Sequence, residues 1–111
     1  MSPEELETLL EDACLVGDLA AVSDLFEGDA VLGYADPSQL VIGRTDITDL
    51  INDLRAGGVT YLARRSAVVQ SGSLALIING AAVHVVRHSS SSGWRYLISW
   101  LGSGWAICGE A

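Results

Sequence analysis

The pair Gly57-Gly58 divides the chain into two stretches of different hydrophobic period, and that switch limits its possible folds more than any other feature. Before it, apolar residues recur at helical spacing. Leu6, Leu9, Leu10, Ala13 and Cys14 fall at i, i+3, i+4, i+7 and i+8, the stripe of a first helix. Ser2-Pro3-Glu4-Glu5 reads as its start, with Ser2 as cap, Pro3 in the first turn and Glu5 completing a capping box. Gly17 ends this helix, and Asp18 caps a shorter one whose face is Leu19, Val22, Leu25 and Phe26, stopped by Gly28. A third helix is predicted from Thr45 to Ala56, with Ile47, Leu50, Ile51 and Leu54 inward. Two extended pieces, Ala30–Ala35 and Gln39–Ile42, lie between the second and third helices, joined by Asp36-Pro37-Ser38.

After Gly58 the segments Thr60–Gln70, Leu74–His88, Trp94–Leu101 and Trp105–Cys108 are rich in Val, Ile, Ala and aromatics, separated by Gly/Ser turns. They read as an antiparallel meander. Asn79-Gly80 is read as a bulge bending one long strand, with a tight hairpin turn as the alternative. The order helix, helix, strand, strand, helix, four strands predicts an α+β fold, one domain over residues 1–111. Both alternating sets in Leu74–Val86 are apolar: Leu74, Leu76, Ile78, Ala82 and Val86 against Ala75, Ile77, Ala81, Val83 and Val85. The helices cover one face. A second copy of the chain is the economical cover for the other, so a homodimer through the outer sheet face is expected.

The formal charge of −8, with six arginines and no lysine, argues against a nucleic-acid or anionic-membrane surface. Thirteen of the fourteen acids lie in residues 1–53, which predicts acidic outer helix faces. Apolar runs fall well short of a membrane span, and Met1-Ser2-Pro3-Glu4-Glu5 lacks the basic and hydrophobic regions of a signal peptide, so the expected compartment is the cytoplasm. No metal-ligand spacing, dinucleotide fingerprint or P-loop is present, and no metal or cofactor is expected. Cys14 and Cys108 are read as buried reduced thiols rather than a disulfide.

Gly17-Asp18-Leu19 with Leu25-Phe26, Asp29-Ala30-Val31-Leu32, Ile42-Gly43-Arg44 with Ile47, and Gly104-Trp105-Ala106-Ile107 together resemble the nuclear transport factor 2-like superfamily. That group includes ketosteroid isomerases, polyketide-cyclase-like (SnoaL-like) proteins and many small domains of unknown function. The resemblance covers nearly the whole chain. It implies a cone-shaped α+β barrel, three N-terminal helices packed into a curved sheet. It also implies a base on the first strand: aligned without a gap, Tyr34 takes that position, and a two-residue shift puts Asp36 there. The first helix lacks the family's tyrosine, and no acid lies between Trp94 and Trp105, so the steroid-isomerase mechanism does not carry over.

Candidate site residues are therefore Asp36, Tyr34 and His84 for acid/base chemistry, with Trp100, Tyr61, Tyr96 and Asn79 toward a ligand. Each has a plainer reading. Asp36 before Pro37 suits a turn, and His84 in an apolar strand suits a hydrogen-bonded core position. Trp94, Tyr96, Ile98 and Trp100 are read as sharing one strand face, where core or dimer packing is the default. His84 shares its face with Leu74, Leu76, Ile78 and Ala82 unless a bulge at Asn79-Gly80 flips it. The function expected is a small dimeric binding or interaction domain taking an apolar small molecule in the cone. The alternative is a cofactor-independent isomerase, cyclase or hydrolase.

Overall fold

Helix α1 (Glu5–Val16) buries Leu6, Leu10, Ala13 and Cys14, while Leu9 at the edge of the stripe stays exposed. These features come from a computed structural model that describes residues 2–34, 39–58, 65–80 and 82–102. The expected capping box is not formed. Glu4 holds the cap position without a side-chain bond, and the Ser2 hydroxyl donates to Glu5 Oε1 at 3.4 Å. The first turn closes instead through backbone bonds from Glu5, Leu6 and Glu7 to the carbonyls of Ser2, Pro3 and Glu4.

Gly17 ends α1 in the left-handed region at φ 71°, and its N–H and that of Asp18 close onto Cys14 and Ala13. A side chain at position 17 would also meet the Arg55 guanidinium at 2.8 Å, where Arg55 Nε donates to the Cys14 carbonyl at 2.9 Å. Asp18 then caps α2 (Leu19–Asp24), accepting from the Ala21 N–H at 3.1 Å. This helix is shorter than its stripe indicated. Phe26 and Gly28 belong to β1 (Phe26–Tyr34), where the Phe26 ring packs 5.0 Å from Tyr96. Burial of an aromatic between sheet neighbours outweighs its place on a helical repeat.

Strand β2 (Gln39–Ile42) pairs antiparallel with β1 and leads into α3 (Arg44–Ala56), which buries Ile47, Thr48 and Ile51. Arg44 anchors the junction, its Nε and Nη2 both donating to the Phe26 carbonyl at 3.0 and 2.7 Å. The sheet continues through β3 (Ala67–Ser71), β4 (Leu74–Ile78), β5 (Ala82–Ser89) and β6 (Gly93–Leu101), in the order β2-β1-β6-β5-β4-β3. Strand β1 runs parallel to β6, and the other pairings are antiparallel. The α+β architecture is as expected. The segment Asp36-Pro37-Ser38, residues 60–64 and Trp105–Cys108 lie outside the described residues. Among the described residues no helix is long and apolar enough to cross a membrane.

Two details of the sheet correct the sequence reading. Asn79-Gly80 is a hairpin turn and not a bulge, because β4 and β5 pair antiparallel with Ile78 opposite Val83. The Asn79 N–H donates to the Ala82 carbonyl at 3.0 Å, and Asn79 Oδ1 accepts from the Ala82 N–H at 2.8 Å. The side-chain amide thus closes the turn that the sequence left open. His84 consequently faces inward with Ala75, Ile77, Ala82 and Val86, not with Leu74, Leu76 and Ile78.

The bulge lies in β6 instead. Val85 pairs with Ile98 and Val86 with Tyr96, leaving Leu97 as the extra residue. Trp94 and Tyr96 point inward before it, Ser99 and Leu101 after it, and Ile98 and Trp100 point outward. The four aromatic and aliphatic residues read as one row therefore occupy two faces. The inner face packs on the helices around Leu6, Leu10, Phe26, Leu32, Ile47, Ile77 and Tyr96, each such burial contributing about 1.5–3 kcal/mol. Cys14 lies in this core, as expected; Cys108 lies outside the described residues.

Gly17→Ala is expected to destabilise the fold by roughly 1–2 kcal/mol, since it strains a left-handed backbone and crowds Arg55. Urea unfolding of the two proteins measures this, and equal midpoints would contradict the account.

Candidate functional site

Beneath the sheet, four elements bring polar side chains to one buried point. Glu7 enters from α1, only 2 % exposed, on a helix whose other acids sit outside the core. Its Oε1 accepts from Asn79 Nδ2 at 3.0 Å, and its Oε2 accepts from the Tyr96 hydroxyl. His84 of β5 brings Nε2 to 3.5 Å from Glu7 Oε2, with its ring 4.7 Å from that of Tyr96. On the other side of the ring, His84 Nδ1 lies 2.7 Å from Ser99 Oγ. His84 and Ser99 are 1 % and 3 % exposed.

The proton on the His84 ring is assigned from its partners. A carboxylate oxygen accepts, which places the N–H at Nε2 and leaves Nδ1 to accept from the Ser99 hydroxyl. Burial pushes the His84 imidazole below its ordinary value of 6.5, and the Glu7 carboxylate opposes this more weakly. A neutral ring with one acceptor nitrogen is the form that can take a proton.

The cluster opens on a cavity of about 10 Å³, lined by Leu10, Phe26, Leu32, Ile51, His84, Ser99 and Leu101. Its wall is apolar except for the His84–Ser99 pair, whose polar atoms are turned toward each other. Among the described residues no three His, Cys, Asp or Glu side chains gather as a metal-holding group.

Of the residues singled out from the sequence, His84, Tyr96 and Asn79 converge here. Tyr96 and Asn79 serve Glu7. Trp100 does not join them, being 45 % exposed on the outer face, its ring 2.7 Å from where a side chain at Gly33 would begin. Tyr34 ends β1 opposite Gln39 and Leu101. Asp36 and Tyr61 lie outside the described residues. Glu7 and Ser99 are the members that sequence reasoning missed. Glu7 carried a signal, since it stands three residues before Leu10 and seven before Cys14, on the buried stripe itself. Ser99 carried none, because the bulge that turns it inward leaves no mark in the alternation.

Below pH 6.5 the unfolded chain binds a proton at His84 that the folded chain resists. The stability tied to this ring is complete above that value and falls as the pH drops, by at most about 1.4 kcal/mol per pH unit. His84→Gln should flatten the stability profile between pH 7 and 5, as measured by urea unfolding at each pH. Parallel profiles for the two proteins would refute the assignment.

A scan against protein-family models and a search of curated proteins find no match. Solved structures do match. A nuclear transport factor 2-like protein with a cystatin-like fold from Novosphingobium aromaticivorans has a TM-score of 0.72 at 20 % identity, covering 93 % of this chain and 81 % of its own. A cystatin-like protein of unknown function from Nostoc punctiforme scores 0.73 at 13 % identity, covering 88 % and 85 %. A ketosteroid isomerase-like protein from Erwinia carotovora atroseptica scores 0.68 at 16 % identity, covering 90 % and 92 %. The likeness spans most of each of these chains, and it shows the architecture: the chain has the nuclear transport factor 2-like, cystatin-like fold.

Proposed function

We propose that the chain works as a homodimeric domain, two copies joined through the outer faces of their sheets. One observation carries this reading. Two complete rows of apolar residues cross all six strands: Val69, Leu76, Val85, Ile98, Val31 and Ile42, then Ala67, Ile78, Val83, Trp100, Gly33 and Leu40. Val69, Leu40 and Ile42 are each more than 60 % exposed, and Trp100, Ile98, Ile78 and Val83 are also open to solvent. Neither row holds a charge in a chain of net charge −8, and Arg87, paired to Glu27 at 3.0 Å, begins the polar rim. An uncharged apolar surface of this breadth is matched by itself under two-fold symmetry. Trp100 lies near the middle of the outer rows, where a large aromatic side chain contributes most to association.

Ile98→Asp and Trp100→Glu should each convert a dimer to a monomer without unfolding it. Sedimentation at micromolar concentration reads the result. A wild-type protein that sediments only at 11.7 kDa would sink the proposal.

A second reading concerns the cone interior, where His84 and Ser99 face an apolar cavity. There the domain would receive a small apolar molecule and carry out acid/base chemistry on it, His84 being the base. The neutral imidazole, held between Glu7 and Ser99, supports this reading. Its test is exchange of the α-protons of a small ketone in heavy water, with His84→Gln as control. Equal exchange in both proteins would refute it.

A further inference from the structure

We propose that Ser99 is a nucleophile for acyl transfer, activated by His84 and supported by Glu7, acting on esters or thioesters of short acyl acids. The proposal rests on the cone interior being a working site, and it names the reaction class there.

Geometry makes the case. A serine hydroxyl, an imidazole and a carboxylate stand in sequence, Ser99 Oγ 2.7 Å from His84 Nδ1 and His84 Nε2 3.5 Å from Glu7 Oε2. A nucleophile within hydrogen-bond reach of a base that a third group orients is the arrangement activated serines require. Asn79 and Tyr96 fix the carboxylate in turn, so its placement does not depend on His84. The β6 bulge turns Ser99 inward and sets it on the cavity wall. The Ser99 hydroxyl is the donor to His84 Nδ1, and Leu10, Phe26, Leu32, Ile51 and Leu101 line the same cavity.

The step balances within these residues, the acyl donor and water. Ser99 Oγ bonds to the acyl carbon as its proton passes to His84 Nδ1. The bond from that carbon to the leaving oxygen or sulfur breaks, and the leaving group takes the proton from Nδ1. Water then attacks the acyl-serine, giving a proton to His84 that returns to Ser99 Oγ as the acid leaves. Glu7 faces the cationic ring during both transfers. The cavity of about 10 Å³ is water-sized and Ser99 is buried, so acylation requires the lining to open and favours the smallest acyl groups.

The test uses p-nitrophenyl acetate as probe, with His88→Gln as background to remove reaction at the exposed His88. An acetyl group on Ser99 is expected in the tryptic fragment that follows Arg95, distinguished from Ser103 by fragmentation in the mass spectrometer. Release of p-nitrophenol should fall on the order of 100-fold in Ser99→Ala and in His84→Gln. The peptide assignment on the unsubstituted Ser99 stands even if either variant folds poorly. Release that persists in Ser99→Ala with no acetyl-Ser99 overturns the proposal while leaving His84 as a base. Neither release nor acetylation also overturns it, and ketone exchange then decides the acid/base reading separately.

Discussion

Placing the Glu7 carboxylate under the sheet obliges the rest of the structure to converge on it. A buried carboxylate is tolerated only where donors meet its oxygens, and leaving such a group unsatisfied costs about 1–3 kcal/mol or more. The donors come from the β4–β5 turn, as Asn79, and from β6, as Tyr96, with His84 of β5 alongside. Sequence separations of 72 and 89 residues mean that α1 and the far end of the sheet are fastened by polar contacts as well as by packing. Apolar packing tolerates small slippage. This cluster does not, because each hydrogen bond has a direction.

The two sheet faces carry different kinds of specification. Inside, one helix stripe, an aromatic pair and the Glu7 cluster determine which side chains meet. Outside, two uncharged rows rich in Val, Ile and Leu have no covering layer among the described residues. Arginines handle the joints between layers: Arg44, Arg55 and Arg95 each donate to a main-chain carbonyl, of Phe26, Cys14 and Asp24. Planar guanidinium groups reach carbonyls at strand and helix ends. Of the six arginines five lie at or beyond Arg55, and Arg44, Arg55 and Arg95 serve in this way.

Much of the architecture was legible because it is local. The stripes of α1 and α3, the Gly17 turn and the Asp18 cap depend on neighbours within a few residues. So does the change of period after Gly58. The site was less legible for two physical reasons. A glutamate on a helix is assigned to solvent by default, and only its alignment with Leu10 and Cys14 hinted otherwise. The faces of β6 depend on how it pairs with β5 and β1 together, which no single strand's alternation can express. Asn79-Gly80 was ambiguous for the same reason: Asn79 closes a hairpin that only its partners define.

Leu97 gives β6 an odd residue, and its consequence is one of parity. Every position after it has inside and outside exchanged relative to an unbroken strand. Pairing the same nine residues without the bulge would turn Ser99 to solvent and drive Ile98 and Trp100 toward the helices. In this strand the way the backbone takes up Leu97 decides which side chains reach the helices. Deleting Leu97 would remove the bulge and still leave Ser99 inward and Ile98 and Trp100 outward, because the pairing with β5 sets those faces.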